Sequence, residues 1–288
     1  MRSFVPGRVS FRGRKAPRDR TGNVERTRGE PVPATKRHRV RSAVRFAETL
    51  DHSSVPDDRV AMDYTYSEIA KMIDHSLLNP VLTDEELNEG CRIAIDYGVA
   101  SVCIKPYYLK RCAELLAGST VLPGTVIGFP HGGNATSIKA AEADRAIRDG
   151  GVELDMVVNV GKVLSGDWGY VRADVRAVVD LAHGAGAKVK VIFENGYLND
   201  EQKIRLCGIC GELNADWVKT STGFATGGAT DEDLKLMRAH APDHVQVKAA
   251  GGVRTLDRLL EVRAIGCTRS GATATAAILD ECKKRLGL

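Results

Sequence analysis

From residue 72 onward, two kinds of apolar pattern alternate along the chain. The first is short and rich in Val and Ile. It occurs at Met72–Leu77, Ala100–Ile104, Thr125–Phe129, Glu153–Asn159, Lys188–Phe193, Asp216–Ser221, Val245–Ala249 and Cys267–Gly271. Several of these runs are apolar on both faces, as strands covered by helices on one side and packed on the other would be. The second kind has helical spacing. Thr83-Asp84-Glu85-Glu86 reads as a capping box ahead of a stripe made by Leu87, Cys91, Ala94 and Ile95. Val171, Val175, Val178, Val179 and Ala182 form another stripe, with Gly184 as its stop. Thr230 and Thr255 are placed to cap the helices that run to Met237 and Ile265.

Eight strands alternating with helices in one domain predict a closed parallel (β/α)₈ barrel, the TIM barrel, in the α/β class. An open doubly wound sheet is the alternative. It would carry a glycine-rich dinucleotide loop after an early strand, where this chain has Asn79-Pro80. The pattern divides the chain into a barrel domain at 62–288 and an extension at 1–61.

Charge follows the same division. Residues 1–60 hold fifteen Lys+Arg against seven Asp+Glu, and the rest hold twenty-six against thirty. The barrel domain therefore has the wrong sign for a nucleic-acid binder. The basic extension lacks apolar periodicity and is expected to be disordered. An Arg-rich transit peptide, a true start at Met62, and a basic arm for nucleic acid or membrane are the other readings of it. There is no continuous apolar stretch of signal-peptide or membrane-span length. The seven cysteines are odd in number and have no framework spacing, which points to reduced thiols in the cytoplasm. Cys207 and Cys210 form a CxxC, but it falls in a predicted helix with no second pair at zinc-site spacing, so no metal site is expected.

In a parallel barrel the chemistry collects where strands end. Here those ends carry Asp74, Cys103, Asp155, Glu194, Lys219 and Lys248. The two lysines sit in matching contexts, Val218-Lys219-Thr220-Ser221-Thr222-Gly223 and Val247-Lys248-Ala249-Ala250-Gly251-Gly252. Two lysines level with each other on adjacent strands and facing a barrel interior are desolvated and repel each other. Both effects favour the neutral amine. A nucleophilic lysine must fall from about 10.4 towards neutrality, which corresponds to about 4 kcal/mol. Asp155 is a candidate proton carrier. The competing reading has each lysine pairing with Glu194 or Asp155, or binding phosphate. Gly251-Gly252 after the seventh strand and Gly271-Ala272-Thr273 before the last helix lie where barrels hold phosphate on backbone N–H groups. His131 with Gly132-Gly133 reads as a loop.

Six segments together resemble the deoxyribose-phosphate aldolase family. They are Ile73-Asp74-His75-Ser76-Leu77-Leu78, Ser101-Val102-Cys103-Ile104, Val126-Ile127-Gly128-Phe129-Pro130, Glu153 through Asn159, and the two lysine motifs, the second running on to Val253-Arg254. The similarity runs in order from about residue 68 to about residue 280. It implies a class I aldolase needing no cofactor, which cleaves 2-deoxy-D-ribose 5-phosphate to acetaldehyde and D-glyceraldehyde 3-phosphate in deoxyribonucleotide catabolism. It further implies that Lys219 forms the Schiff base, that Lys248 lowers its pKa and that Asp155 shuttles protons. Asp74 and Cys103 take supporting places. Phosphate would fall to Gly223, Gly251, Gly252, Gly271 and Thr273. The partner is then a small phosphorylated sugar rather than nucleic acid or membrane, and the assembly, if any, a homodimer.

Four places depart from the family pattern. Thr273 and Ala250 stand where serine is usual, Phe193-Glu194-Asn195 stands where Ile-Glu-Thr is usual, and the chain ends in Leu288 without a tyrosine tail. Thr273 keeps a hydroxyl; the Phe193-Glu194-Asn195 run is expected to alter the pocket wall. A different Schiff-base barrel enzyme is the nearest competing function. A phosphate-binding barrel isomerase or a non-catalytic binding module is a more distant one.

Overall fold

A computed structural model describes residues 63–288; the readings of the basic extension lie outside the described residues. The chain opens with α1 (Tyr66–Ala70), β1 (Ile73–Leu77), α2 (Asp84–Tyr97), β2 (Ser101–Ile104), α3 (Leu109–Leu116) and β3 (Leu122–Ile127). It continues through α4 (Thr136–Arg148), β4 (Glu153–Val157), α5 (Val160–Leu164), α6 (Trp168–Gly184) and β5 (Lys188–Ile192). It ends with α7 (Asp200–Glu212), β6 (Trp217–Lys219), α8 (Asp231–His240), β7 (Gln246–Ala250), α9 (Leu256–Ala264), β8 (Arg269–Ala272) and α10 (Thr275–Leu286). All eight strands pair in parallel and in chain order, and β8 returns to β1 through Ile73–Ser270 and Asp74–Gly271. This is the TIM barrel that the alternation of short and long apolar patterns predicts.

The helices start where the sequence supplies caps. Thr83 accepts from the Glu86 amide while Glu86 accepts from the Thr83 amide, closing the expected capping box. Thr230 and Thr255 cap α8 and α9, and Asn199 with Gln202 forms a further capping box at α7. The core lies between barrel and helices. Val102, Leu154, Val189, Val191 and Val247 meet Leu87, Cys91, Val171, Val175 and Leu259, all buried. Cys207 and Cys210 are buried in α7, and all seven cysteines are free thiols. Among the described residues no helix is long and apolar enough to cross a membrane.

Several boundaries and faces differ from expectation. β3 begins at Leu122, not Thr125, and so includes Pro123 and Gly124, two residues that usually stop a strand. A Cβ on Gly124 would lie 3.0 Å from the Glu153 carbonyl oxygen, so the absence of a side chain is what admits the neighbouring strand. β4 stops at Val157 because Asn159 turns away to cap α5, accepting from the Lys162 amide. β6 is only three residues long; beyond it Thr220 uses its hydroxyl to bond the Ala250 amide and carbonyl. Helix α6 runs through Gly184, and the left-handed turn that follows it is at Gly186, φ +75°. Ile95 lies outside the buried stripe of α2, at 39% exposure.

A buried ion pair ties two helices to the end of β4. The Lys139 ammonium donates to Asp174 at 2.6 Å and to the Val157 carbonyl at 2.8 Å, and Thr136 donates to the other Asp174 oxygen. Both charges are fully buried. The pair fixes α4 against α6 and anchors the strand two residues beyond Asp155.

Candidate active site

Lys219 and Lys248 are partners in the β6–β7 register and so lie level on adjacent strands. The structure brings both onto one carboxylate oxygen. Asp155 Oδ2 accepts from Lys219 Nζ at 2.7 Å and from Lys248 Nζ at 2.8 Å. Asp74, on β1, reaches Lys248 at 2.5 Å. All four side chains are buried. Cys103 of β2 faces the same space beside Leu78 and Val126.

The two amines differ because their carboxylates differ. Burial lowers the pKa of Lys219, Lys248 pushes it the same way, and the single carboxylate Asp155 only partly restores it, so the net shift is downward. Burial acts on Lys248 too, but Asp155 and Asp74 together outweigh it, and its pKa is raised. The sequence pattern alone predicts a depressed pKa for both, and Asp74 is what separates them. Asp155 stays ionised against the cost of its burial because Lys190, Lys219 and Lys248 surround it. Burial and the Asp155 charge push the Cys103 thiol up to about 11, so it is protonated at neutral pH.

Above these groups opens a cavity of about 400 Å³. Its walls include Lys219, Lys248, Asp74, Cys103 and every residue singled out for phosphate: Gly223, Gly251, Gly252, Gly271 and Thr273. Arg254 joins them. Gly251 has φ +90°, and a Cβ there would come within 2.9 Å of Gly228 Cα, so this turn admits only glycine. Helix α10 begins just behind Thr273. Its N-cap is Ala274, which supplies no side-chain acceptor, leaving the first-turn amides without a side-chain cap.

Glu194 does not pair with either lysine. It lies two residues past β5 in a left-handed backbone, φ 60°, and its carboxylate accepts from the amide and hydroxyl of Thr222. That bond holds the loop that carries Gly223. Asn195 turns its amide to Met237 of α8 at 3.2 Å and does not line this cavity. Ala250 and Thr273 do line it. His131 lies in a smaller adjoining cavity with Glu194, Thr222 and Phe224.

Three charged residues of the interior escape a search confined to strand ends. Lys190 contacts Asp155 at 2.9 Å and Glu153 at 2.6 Å. Arg269 bridges Glu153 and Asp74. The signal was the two-residue period. Glu153 stands two before Asp155, and Lys190 is the register partner of Asp155.

A family model described as the DeoC/LacD family aldolase matches residues 60–284. A curated relative, deoxyribose-phosphate aldolase of Rhodopirellula baltica, is 62% identical over 226 residues, covering 78% of this chain and 94% of its own length. The crystal structure of a putative deoxyribose-phosphate aldolase from Coccidioides immitis superposes with TM-score 0.73 at 36% identity, covering 76% of this chain and 87% of that one. The deoxyribose phosphate aldolase of Aeropyrum pernix, described as a unique tetramer, gives 0.71 at 31% identity over 76% and 92%.

Proposed function

Given that the chain belongs to the DeoC/LacD family of aldolases, we propose which of its side chains carry the reaction. That reaction is the reversible cleavage of 2-deoxy-D-ribose 5-phosphate to acetaldehyde and D-glyceraldehyde 3-phosphate, a carbon–carbon lyase step. Lys219 is the nucleophile. Its neutral amine adds to the C1 aldehyde of the open-chain sugar, and loss of water leaves a protonated imine. The C2–C3 bond then breaks as the C3 hydroxyl gives up its proton, and the bonding pair moves into the imine to form an enamine. Glyceraldehyde 3-phosphate departs, the enamine takes a proton at carbon, and water releases acetaldehyde and the free amine.

The observation that carries this assignment is the asymmetry of the two lysines: one carboxylate at Lys219 against two at Lys248. Lys248 stays cationic and disfavours a second ammonium beside it. Asp155, in contact with both, is the group placed to accept and return the proton, with a water as carrier. Phosphate binds to the glycine turns and to the start of α10, with Thr273 as hydroxyl donor. Anchoring the phosphate brings C1 to the amine by proximity. The barrel domain at 62–288 suffices for this. No cofactor is expected, and the assembly we propose is a homodimer in the cytoplasm; seven buried free thiols support that compartment.

Borohydride reduction with deoxyribose 5-phosphate, followed by peptide mass mapping, tests the assignment. The adduct is expected on Lys219, and Lys219→Ala is expected to trap nothing. An adduct on Lys248 would reverse the roles, and no adduct on either lysine would remove the imine mechanism.

A further inference from the structure

The charges inside this barrel can be counted. β1 supplies Asp74, β4 supplies Glu153 and Asp155, β5 supplies Lys190, β6 Lys219, β7 Lys248 and β8 Arg269. β3 supplies no charge, and β2 supplies Cys103, a protonated thiol. The seven ionisable groups form one connected set. Arg269 joins Asp74 at 2.5 Å and Glu153 at 2.9 Å. Lys190 joins Glu153 at 2.6 Å, Asp155 at 2.9 Å and Asp74 at 3.4 Å. Lys248 joins Asp74 and Asp155, and Lys219 reaches only Asp155. Arg269 is the least buried, at 13% exposure, and its guanidinium lies 5.1 Å from the centre of the Trp217 ring.

We propose that Glu153, Lys190 and Arg269 are positioning residues for the imine-forming lysine. With Asp74, Asp155 and Lys248 they make a closed set of three carboxylates and three cations, so Lys219 is the seventh, uncompensated group and stays neutral. This rests on the assignment of Lys219 as nucleophile. None of the three lines the cavity; they act through the groups that do. The side chains of the set are buried or nearly so, so a missing charge is poorly screened and is made up by a neighbour changing its protonation. Lys219 is the group with a proton to gain. Removing any fixed cation therefore makes Lys219 the third cation and silences it as a nucleophile. Removing a carboxylate makes its protonation harder still.

Two single variants and their combination test this, read by the pH dependence of kcat/KM and of borohydride trapping at Lys219. Neutral amine appears as pH rises, so activity climbs through the Lys219 pKa. Lys190→Met is expected to move that rising limb upward by about one pH unit or more, a tenfold or greater loss below it that is regained at high pH. Glu153→Gln is expected to move it downward. Lys190→Met with Glu153→Gln leaves two carboxylates and two fixed cations, and the limb should return towards its original place. Activity lost equally at every pH, with the limb unmoved in either single variant, overturns the proposal and leaves these residues structural. If Lys190→Met does not fold, Glu153→Gln decides alone: a downward move supports the balance and an unmoved limb overturns it. An unmodified Lys219 in the parent enzyme would be a different failure, that of the nucleophile assignment itself.

Discussion

Lys219 and Lys248 occupy equivalent positions on neighbouring strands, yet their pKa values are shifted in opposite directions. The cause is Asp74, a residue almost one hundred and fifty positions away in sequence that contacts only the second lysine. Lys248→Leu removes the like charge beside Lys219 and strands Asp74 and Asp155 without their shared cation. Both changes favour protonated Lys219. The rising limb of the kcat/KM profile should shift to higher pH, with a loss at neutral pH of tenfold or more that partly recovers above it. An unshifted limb would show that the two amines are not coupled. A different residue contributes to acid stability on its own account. His75 is buried, its Nδ1 lies 2.7 Å from the Thr275 hydroxyl, and burial lowers its pKa to about 4. The unfolded chain binds this proton first, near the ordinary pKa of about 6.5. Stability from this source is therefore full above about pH 6.5 and falls as pH drops to about 4, by up to about 3 kcal/mol. His75→Asn should lack that loss in urea titrations run across the window; an identical pH dependence in both proteins would remove His75 as the cause.

At the scale of elements, the last strand–helix unit offers the clearest test of anion binding. Helix α10 starts at an uncapped Ala274, with Thr273 exposed on the cavity wall just ahead of it. Thr273→Ala should raise KM for deoxyribose 5-phosphate about tenfold or more, the scale of one hydrogen bond to a charged group. Turnover of unphosphorylated deoxyribose should hardly change. Equal effects on the two substrates would place the phosphate elsewhere. Elements are also where the sequence was most readable. All eight strands and the caps at Thr83, Thr230 and Thr255 follow from period and chemistry, because each is decided by neighbours in the chain. What was not readable depended on partners far away. Pro123 and Gly124 argue against a strand until the close approach of Glu153 is known. Glu194 looks like a strand-end acid until its loop bends it onto Thr222. Lys190 is not singled out in the sequence, because its partner Asp155 lies across the ladder on another strand.

For the molecule as a whole, the family match begins at residue 60 and runs almost to the C-terminus. A chain started at Met62 should therefore keep its melting temperature within roughly 2 °C, and its turnover with it. A larger fall in either would mean that residues 1–61 contribute to the barrel. The closure of that barrel has a consequence for its synthesis. Asp74 leaves the ribosome early but finds Arg269 only after nearly the whole chain has followed, and β1 has an open edge until β8 arrives. A nascent chain lacking its last strand therefore carries buried acids short of their cation and two unpaired strand edges, which invite aggregation. Closing the barrel joins ends some two hundred residues apart, a pairing of high loop-closure cost. Premature termination before Ala272 should yield polypeptide for the proteases rather than a weak enzyme, since the interior charges come from six of the eight strands and are complete only with the last.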